Sequence, residues 1–280
     1  MAGSNWDSVV FGLASAAAWG AGDFSGGLAS KRTSVYGVVI ASQVVGIILL
    51  FALALIFAGP LPTPTELLWG GAAGMAGAIG LIALYRALAT GQMGVAAPVS
   101  AVLAAGVPVV FGALIEGLPG GWQMAGFGLA LIAVWFISRA DGVTLRLRAL
   151  GLPLVAGLGF GAFFVLIDQA SATSILWPVV AARAASISTL IGVAGLARQP
   201  AWPERRHLPL VALSGMLDAG GNAFFMLAAQ AGRLDVASVL SSLYPASTVG
   251  LAWLILKERL TRAQLVGIVA ALAAIILITL

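Results

Sequence analysis

Two polar side chains inside a long apolar stretch are the first candidates for chemistry in this sequence. Asp218 and Asn222 are four residues apart, so on an α-helix they share one face. Gly220 and Gly221 between them permit a close backbone approach or local unwinding. A carboxylate in hydrocarbon costs roughly 2.5–3.5 kcal/mol on insertion scales, so Asp218 is expected to face protein or water. Two interpretations stay open: Asp218 and Asn222 bind a ligand, or Asp218 is a structural partner of Arg183.

Four further polar side chains lie in or beside apolar stretches. Arg183 could extend its guanidinium to the membrane interface, neutralise Asp218 or hold a ligand's carboxylate, and the sequence leaves all three open. Asp23 and Asp168 lie nearer the ends of their stretches, so their carboxylates could simply reach interfacial water. Gln43 lies in the middle of a stretch, where the commonest role of such a group is a hydrogen bond to another helix.

Aromatic side chains inside the apolar stretches are candidates for the apolar part of a binding site. Trp19 lies in the middle of its stretch, whereas tryptophans concentrate at membrane interfaces, so it either packs between helices or lines a cavity. Tyr85 and Tyr244 each combine an apolar ring with a hydroxyl that needs a partner when buried, and packing and ligand contact stay open for both. Pro245 lacks a backbone donor and can kink the helix that holds Tyr244.

Other chemistries lack the residues they need. The chain has no cysteine and one histidine, His207, in a predicted loop, so no thiolate, zinc or haem site is expected. The serines have no obvious neighbouring base, so an intramembrane enzyme is not favoured, and we expect neither enzyme activity nor a cofactor. The glycine-rich segments 70–80 and 157–161 follow no predicted strand, so they indicate packing seams between helices rather than a phosphate loop.

The composition places these residues in a membrane. Of 280 residues, 61% are hydrophobic and 9% are charged, whereas soluble domains carry about 25% charged residues. A membrane span needs roughly 20 mostly apolar residues, and such stretches fill the chain between short polar joints. No basic segment with a cleavage site precedes the first stretch, so no removable signal peptide is expected. The net charge of +4 is typical of basic cytoplasmic loops in a membrane protein, and we do not expect nucleic-acid binding.

The apolar stretches predict ten helices separated by joints that carry breakers such as Gly59-Pro60 and Pro200. Irregular backbone and open sheet edges are not tolerated against lipid, so the predicted fold class is an all-α polytopic membrane protein. The predicted ranges are 8–29, 35–58, 66–89, 94–115, 122–138, 149–170, 175–196, 208–230, 235–256 and 262–280.

An internal repeat organises the ten helices. One constant spacing, which we call the repeat offset, carries Gly74-Met75 onto Gly215-Met216 and Trp19-Gly20 onto Phe160-Gly161. The repeat offset carries other positions along the whole half, namely Ser30 onto Ser171, Gly91 onto Gly232, Val95-Ala96 onto Val236-Ala237, and Gln123 with Gly126 onto Gln264 with Gly267. We therefore predict two five-helix repeats, residues 1–140 and 141–280. Because five is odd, the second repeat enters the membrane from the opposite side, a plan that is frequent in secondary transporters.

The basic residues support this inversion. Twelve of the fourteen Lys and Arg fall on one predicted side of the membrane, Arg233 falls on the other, and Arg183 lies within a helix. Cytoplasmic loops carry an excess of Lys and Arg, so the basic side is predicted to be cytoplasmic and both termini to lie outside. The twelve are Lys31, Arg32, Arg86, Arg139, Arg146, Arg148, Arg198, Arg205, Arg206, Lys257, Arg259 and Arg262.

Paired motifs in the two halves resemble the EamA family of the drug/metabolite transporter superfamily. The motifs are Trp19-Gly20, Tyr85-Arg86-Ala87-Leu88, Ala96-Ala97-Pro98, Leu243-Tyr244-Pro245-Ala246, Lys257-Glu258-Arg259-Leu260 and Gln264-Leu265-Val266-Gly267. The resemblance covers essentially the full chain and is most specific from Tyr244 to Gly267. The first half departs from it, because Pro108 lies closer to Glu116 than Pro245 lies to Glu258. Within the family, the chain is most similar to the YddG-type branch of bacterial aromatic-amino-acid exporters.

The resemblance implies export of amino acids, aromatic or otherwise apolar, by alternating access. We expect the first, third, fourth, sixth, eighth and ninth helices to surround a central, mostly apolar cavity, flanked by the fifth and tenth. The expected partners are a small-molecule substrate and the lipid bilayer of a bacterial inner membrane, without an obligate protein partner. The expected substrate-binding residues are Trp19, Tyr85, Phe160, Asp218, Asn222 and Tyr244.

The alternative is a transporter that expels drugs or other metabolites, with or without proton coupling. Proton-coupled pumps generally keep an acidic residue deep in the membrane. Every glutamate of this chain lies at a predicted loop or helix end, so only aspartates are candidates for such a role.

Overall fold

A computed structural model describes residues 5–57, 60–89, 93–115, 117–138, 151–171, 174, 176–257 and 261–279. Within these ranges the chain forms eleven α-helices, a short 3₁₀ helix at Arg205–His207 and no strand. The helices are α1 (Asn5–Ser30), α2 (Val35–Ile56), α3 (Pro64–Ala89), α4 (Met93–Ile115), α5 (Gly121–Ser138), α6 (Gly151–Gln169), α7 (Leu176–Leu196), α8 (Leu208–Ala231), α9 (Leu234–Ser241), α10 (Tyr244–Leu256) and α11 (Arg262–Thr279).

The ninth predicted helix, 235–256, is two helices rather than one. Helix α9 ends at Ser241 and α10 begins at Tyr244. Pro245 lies in the first turn of α10, where its missing N–H leaves no bond unmade. The Ser242 hydroxyl donates to the Ser238 carbonyl at 2.7 Å, and the Ala246 N–H donates to the Leu243 carbonyl at 2.9 Å. The proline thus breaks the helix where the sequence indicated a kink.

Many of the described helices have the length and hydropathy of membrane spans. Six segments qualify, at 35–56, 64–84, 151–169, 176–196, 205–231 and 234–256, the last of which joins α9 and α10. Shorter apolar helices cover 100–115, 121–136 and 262–278. These segments make the chain consistent with a polytopic membrane protein, and the count of ten spans stays a prediction.

The helix joints sort into two ends of the bundle. At one end, the Ser34 hydroxyl donates to the Pro200 carbonyl at 2.9 Å, and the Glu204 N–H donates to the Thr33 hydroxyl at 3.1 Å. These bonds join the α1–α2 joint to the α7–α8 joint. Both joints carry basic residues, among them Lys31, Arg32, Arg198, Arg205 and Arg206. We call this the basic end.

The other end holds the start of α1 together with later joints. The Ser8 hydroxyl donates to the Ala228 carbonyl at 2.9 Å, tying the start of α1 to the end of α8. Arg233 donates to the Gly117 carbonyl at 2.9 Å and pairs with the buried carboxylate of Asp235 at 2.9 Å. Arg233 thereby links the α8–α9 joint to the α4–α5 joint. We call this the opposite end.

Close helix contacts recur at the repeat offset. A Cβ added at Gly20 of α1 would lie 3.0 Å from the backbone nitrogen of Thr248 in α10. A Cβ added at Gly161 of α6 would lie 2.6 Å from the Cβ of Val107 in α4. The repeat offset relates Gly20 to Gly161 and Val107 to Thr248. Gln123 and Gln264 also match, because each side chain accepts a backbone N–H three residues earlier, at the start of α5 and of α11.

Candidate functional site

A cavity lies at mid-depth between helices of the two halves. The space between the atoms there is about 810 Å³, a figure that includes space open to solvent. Lining residues come from α1, α2, α3, α4, α6, α7, α8 and α10. The sequence-based expectation omitted α2 and α7, which contribute Gln43, Val179 and Arg183. No described residue of α5 or α11 lines the cavity.

The cavity has one polar wall and one apolar wall. The polar side chains come from α1, α2, α7 and α8, and the apolar ones mainly from α3, α4 and α6. The polar wall consists of Asp23, Gln43, Arg183, Ser186, Asp218 and Asn222. The apolar wall includes Leu81, Leu84, Ala104, Phe160, Phe163 and Phe164. This arrangement suits an amphipathic ligand with one polar and one apolar part.

Arg183 is the centre of the polar wall. Its Nη1 donates to Gln43 Oε1 of α2, and its Nη2 forms an ion pair with Asp218 Oδ2 of α8. Arg183 is only 5% exposed, whereas the Asp218 side chain is 37% exposed. A buried guanidinium needs such partners, because its charge is costly without them. The ion pair that the sequence left open is therefore present, and Gln43 does make an interhelical hydrogen bond.

Asn222 and Asp218 share one face of α8 as the spacing predicts. The Asn222 side-chain N–H donates to the Asp218 carbonyl at 3.0 Å, which fixes the amide within the cavity wall. Helix α8 is continuous through Gly220 and Gly221, so no unwinding occurs there. Gly221 instead permits a close approach, since a side chain at that position would overlap the ring of Trp19.

Two hydrogen bonds hold the second half of α1 against α8 and α10. The Ser214 hydroxyl donates to the Gly22 carbonyl at 2.9 Å, and the Thr248 hydroxyl donates to the Gly20 carbonyl at 3.1 Å. The flanking residues Trp19 and Asp23 are four apart, so they share a face of α1, and both line the cavity.

An aromatic stack limits the cavity towards the opposite end. The Trp19 ring lies 5.5 Å from the Phe164 ring and 5.9 Å from the Phe225 ring, and those two rings are 4.5 Å apart. Phe164 and Phe225 lie in the second halves of α6 and α8, which run towards the opposite end, and Phe225 is fully buried. Trp19 thus stacks on Phe164, while its counterpart Phe160 packs on Gly80 of α3.

A second cavity lies beside this one, at the basic end. It is bounded by Ser34, Tyr36, Arg86 and Pro200. Those residues belong to the basic end or lie next to it. The second cavity therefore lies at the basic end, and Leu81 belongs to the walls of both cavities.

Five of the six predicted site residues line this cavity, namely Trp19, Phe160, Asp218, Asn222 and Tyr244. Tyr85 belongs to α3, but its side chain lies outside the described part of the structure. Whether these residues bind a substrate stays a prediction. Asp168 lies at the end of α6, where its carboxylate accepts a weak bond from Gln169.

The sequence analysis missed Asp23 as a cavity residue. From the sequence, this carboxylate could simply reach interfacial water, whereas the structure places it on the polar wall. The available signal was its spacing, since Asp23 follows Trp19 by four residues. Among the described residues, no three His, Asp or Glu side chains lie together, so no metal-holding group is found there.

Comparison with known proteins supports a transporter. Residues 147–280 match the EamA-like transporter family. A solved structure titled only "Crystal structure of protein" aligns with a TM-score of 0.78 over 98% of each chain, at 16% identity, which shows a shared fold alone. A search of curated protein sequences finds no match. The family match and the apolar helices indicate a multi-pass membrane protein.

Proposed function

We propose that the protein is a secondary transporter that exports amino acids with aromatic or other apolar side chains, by alternating access through the cavity. The observation that carries this proposal is the division of the cavity into a polar and an apolar wall. The ammonium and carboxylate of an amino acid would meet the polar wall, and its side chain would meet the phenylalanines. Such a pocket, mostly apolar with few convergent polar groups, is typical of small-molecule sites.

The proposed architecture is ten spans arranged as two inverted five-helix repeats. The glycine contacts and helix caps that recur at the repeat offset support it. In transporters with inverted repeats, the site lies near the midplane where the repeats meet, and one repeat moves against the other. The cavity is lined by helices of both proposed repeats, as this mechanism requires.

The proposed setting is a bacterial inner membrane with the basic end in the cytoplasm. The described basic residues at that end, including Arg86 and Arg198, support this orientation through the positive-inside rule. The second cavity, which Arg86 and Pro200 line, would then lie on the cytoplasmic side. Reporter fusions after residues 145 and 280 test the orientation. A cytoplasmic reporter active at the first site and a periplasmic one at the second are expected, and the reverse would contradict the assignment.

Transport assays test the function directly. The purified protein in liposomes is expected to carry radiolabelled aromatic amino acids down their gradient, and flux is expected to persist when a protonophore collapses the pH gradient. Protein-free liposomes are the control. Absence of protein-dependent flux for every amino acid would contradict the proposal.

A second candidate function is proton-coupled efflux of drugs or other metabolites. The observation that favours it is the presence of two carboxylates, Asp23 and Asp218, in the cavity. A carboxylate at membrane depth can exchange protons with the two sides of the membrane in turn. Concentration of substrate only under an imposed pH gradient would favour this candidate over facilitated export.

A further inference from the structure

Among the described residues that line the cavity, carboxyl groups outnumber basic groups. Among the described lining residues, two carboxylates, Asp23 and Asp218, face one guanidinium, Arg183. Arg183 is already engaged by Asp218 and by Gln43, so its charge is matched. Asp23 has no hydrogen bond or ion pair with any described residue, and its side chain is exposed to the cavity. The polar wall therefore holds one carboxyl group, that of Asp23, without a partner among the described residues.

The position of Asp23 is fixed rather than incidental. The bonds from Ser214 and Thr248 hold the α1 backbone at Gly22 and Gly20, two glycines just before it. Asp23 therefore cannot withdraw to the basic end without breaking contacts with α8 and α10. A carboxylate held at this depth without a partner is costly, and a ligand that brings a positive charge offsets that cost.

The surroundings of Asp23 suit an organic cation. Trp19 lies one turn earlier on the same face of α1, and Tyr244 lines the same cavity. An ammonium group is attracted both to a carboxylate and to the face of an aromatic ring, with tryptophan the strongest. Carboxylate and aromatic rings together recognise a protonated amine.

We propose that Asp23 binds the protonated amine of the substrate, and that this amine is the group through which the cavity recognises the substrate. The proposal rests on the proposed function and deepens it by naming the group that is recognised. Amines that lack a carboxylate, with an aromatic or apolar body, then belong to the substrate class alongside amino acids. A protonated amine offers Asp23 the partner that the described residues of the cavity do not.

Three ligands with the same phenyl body separate the possibilities in the wild-type protein. They are 2-phenylethylamine, a cation; phenylalanine, a zwitterion; and 3-phenylpropionate, an anion. Binding is measured by the shift of the melting temperature and by competition for transport in proteoliposomes. We expect 2-phenylethylamine to bind at least as tightly as phenylalanine, and 3-phenylpropionate at least tenfold more weakly than either. Tighter binding of 3-phenylpropionate than of 2-phenylethylamine would overturn the proposal and leave the proposed transport intact.

Variants of Asp23 test the residue itself. Asp23→Asn is expected to weaken binding of both amine-bearing ligands at least tenfold without weakening the binding of 3-phenylpropionate, and Asp23→Glu is expected to retain amine binding. Asp7→Asn is the matched control, because Asp7 is an exposed carboxylate of α1 outside the cavity. Unchanged binding of 2-phenylethylamine by folded Asp23→Asn would overturn the inference alone. Binding of none of the three ligands by the wild type would overturn both the inference and the proposed function.

Discussion

The indole ring of Trp19 occupies the space that a side chain at Gly221 would need. At the repeat offset, Phe160 occupies the corresponding space against Gly80. In each case an aromatic ring from one half lies on a glycine of the other half. The two contacts set the distance between α1 and α8 and between α3 and α6, the helices that carry most of the cavity. A glycine at these positions is therefore required for packing.

Gly221→Ala is expected to destabilise the protein because its methyl group overlaps the Trp19 ring. Overpacking of this kind typically costs about 1–3 kcal/mol. Gly220→Ala is the matched control, since the space next to Gly220 is open and the two glycines are adjacent on one helix. Melting curves in detergent measure both variants. An equal melting temperature for the two would contradict the contact.

Asp218→Asn is expected to lower stability because it leaves the buried Arg183 guanidinium without its charged partner. Breaking one side of a buried pair costs about 3–5 kcal/mol, and less here because Asp218 is partly exposed. The double variant Asp218→Asn/Arg183→Gln is expected to recover part of the loss, since no unpaired charge remains. Melting curves and membrane yield provide the measurement. Additive losses in the double variant would show that the pair contributes nothing.

The same variants decide whether Asp218 also binds substrate. Lost export by a double variant with normal melting would assign Asp218 or Arg183 a role in transport. Normal export by that variant would make the pair structural only. Gln43→Leu is a further variant for the same assays, because it removes the neutral hydrogen-bond partner of Arg183 and leaves both charged residues in place.

The sequence was sufficient for most of the fold, because apolar length alone decides where helices lie in a membrane protein. The sequence also predicted which positions of the two halves correspond. Gln123 and Gln264 are such a pair, and each accepts a backbone N–H at the start of its helix. The sequence indicated a kink in the helix at Pro245. The structure shows a full break between α9 and α10 there. Arg183 and Asp218 lie on different helices, so their pairing depends on how α7 packs on α8.

The site was predicted less completely, and Asp23 shows why. The sequence reveals its distance from the end of α1 but not which helices surround it. Asp23 lacks a partner because Arg183, the basic residue among the described lining residues, pairs with Asp218. That pairing depends on how the helices pack, which the sequence does not reveal. The aromatic residues of the cavity were easier to predict from the sequence, because large apolar side chains in mid-helix must contact either other helices or a cavity.

Trp19→Ala is expected to weaken transport of aromatic substrates more than transport of small ones. The loss of a buried ring contact corresponds to about 1–3 kcal/mol, or roughly ten- to a hundredfold in apparent affinity. Because the variant also removes a stack with Phe164 and Phe225, the ratio of phenylalanine to alanine transport is measured rather than either rate alone. Trp202→Ala, in the exposed α7–α8 joint, is the control. An unchanged ratio would exclude Trp19 from the substrate site.

A single introduced thiol tests most directly whether substrate passes through the cavity. The chain has no cysteine of its own, so the introduced thiol is the one that reacts. Ser186 lines the cavity, whereas Ser188, two residues later on α7, is exposed elsewhere. Both Ser→Cys variants are expected to transport before labelling. After a small methanethiosulfonate reagent, phenylalanine transport is expected to be lost only in Ser186→Cys, and excess phenylalanine is expected to protect that thiol. Full transport by completely labelled Ser186→Cys would contradict the account.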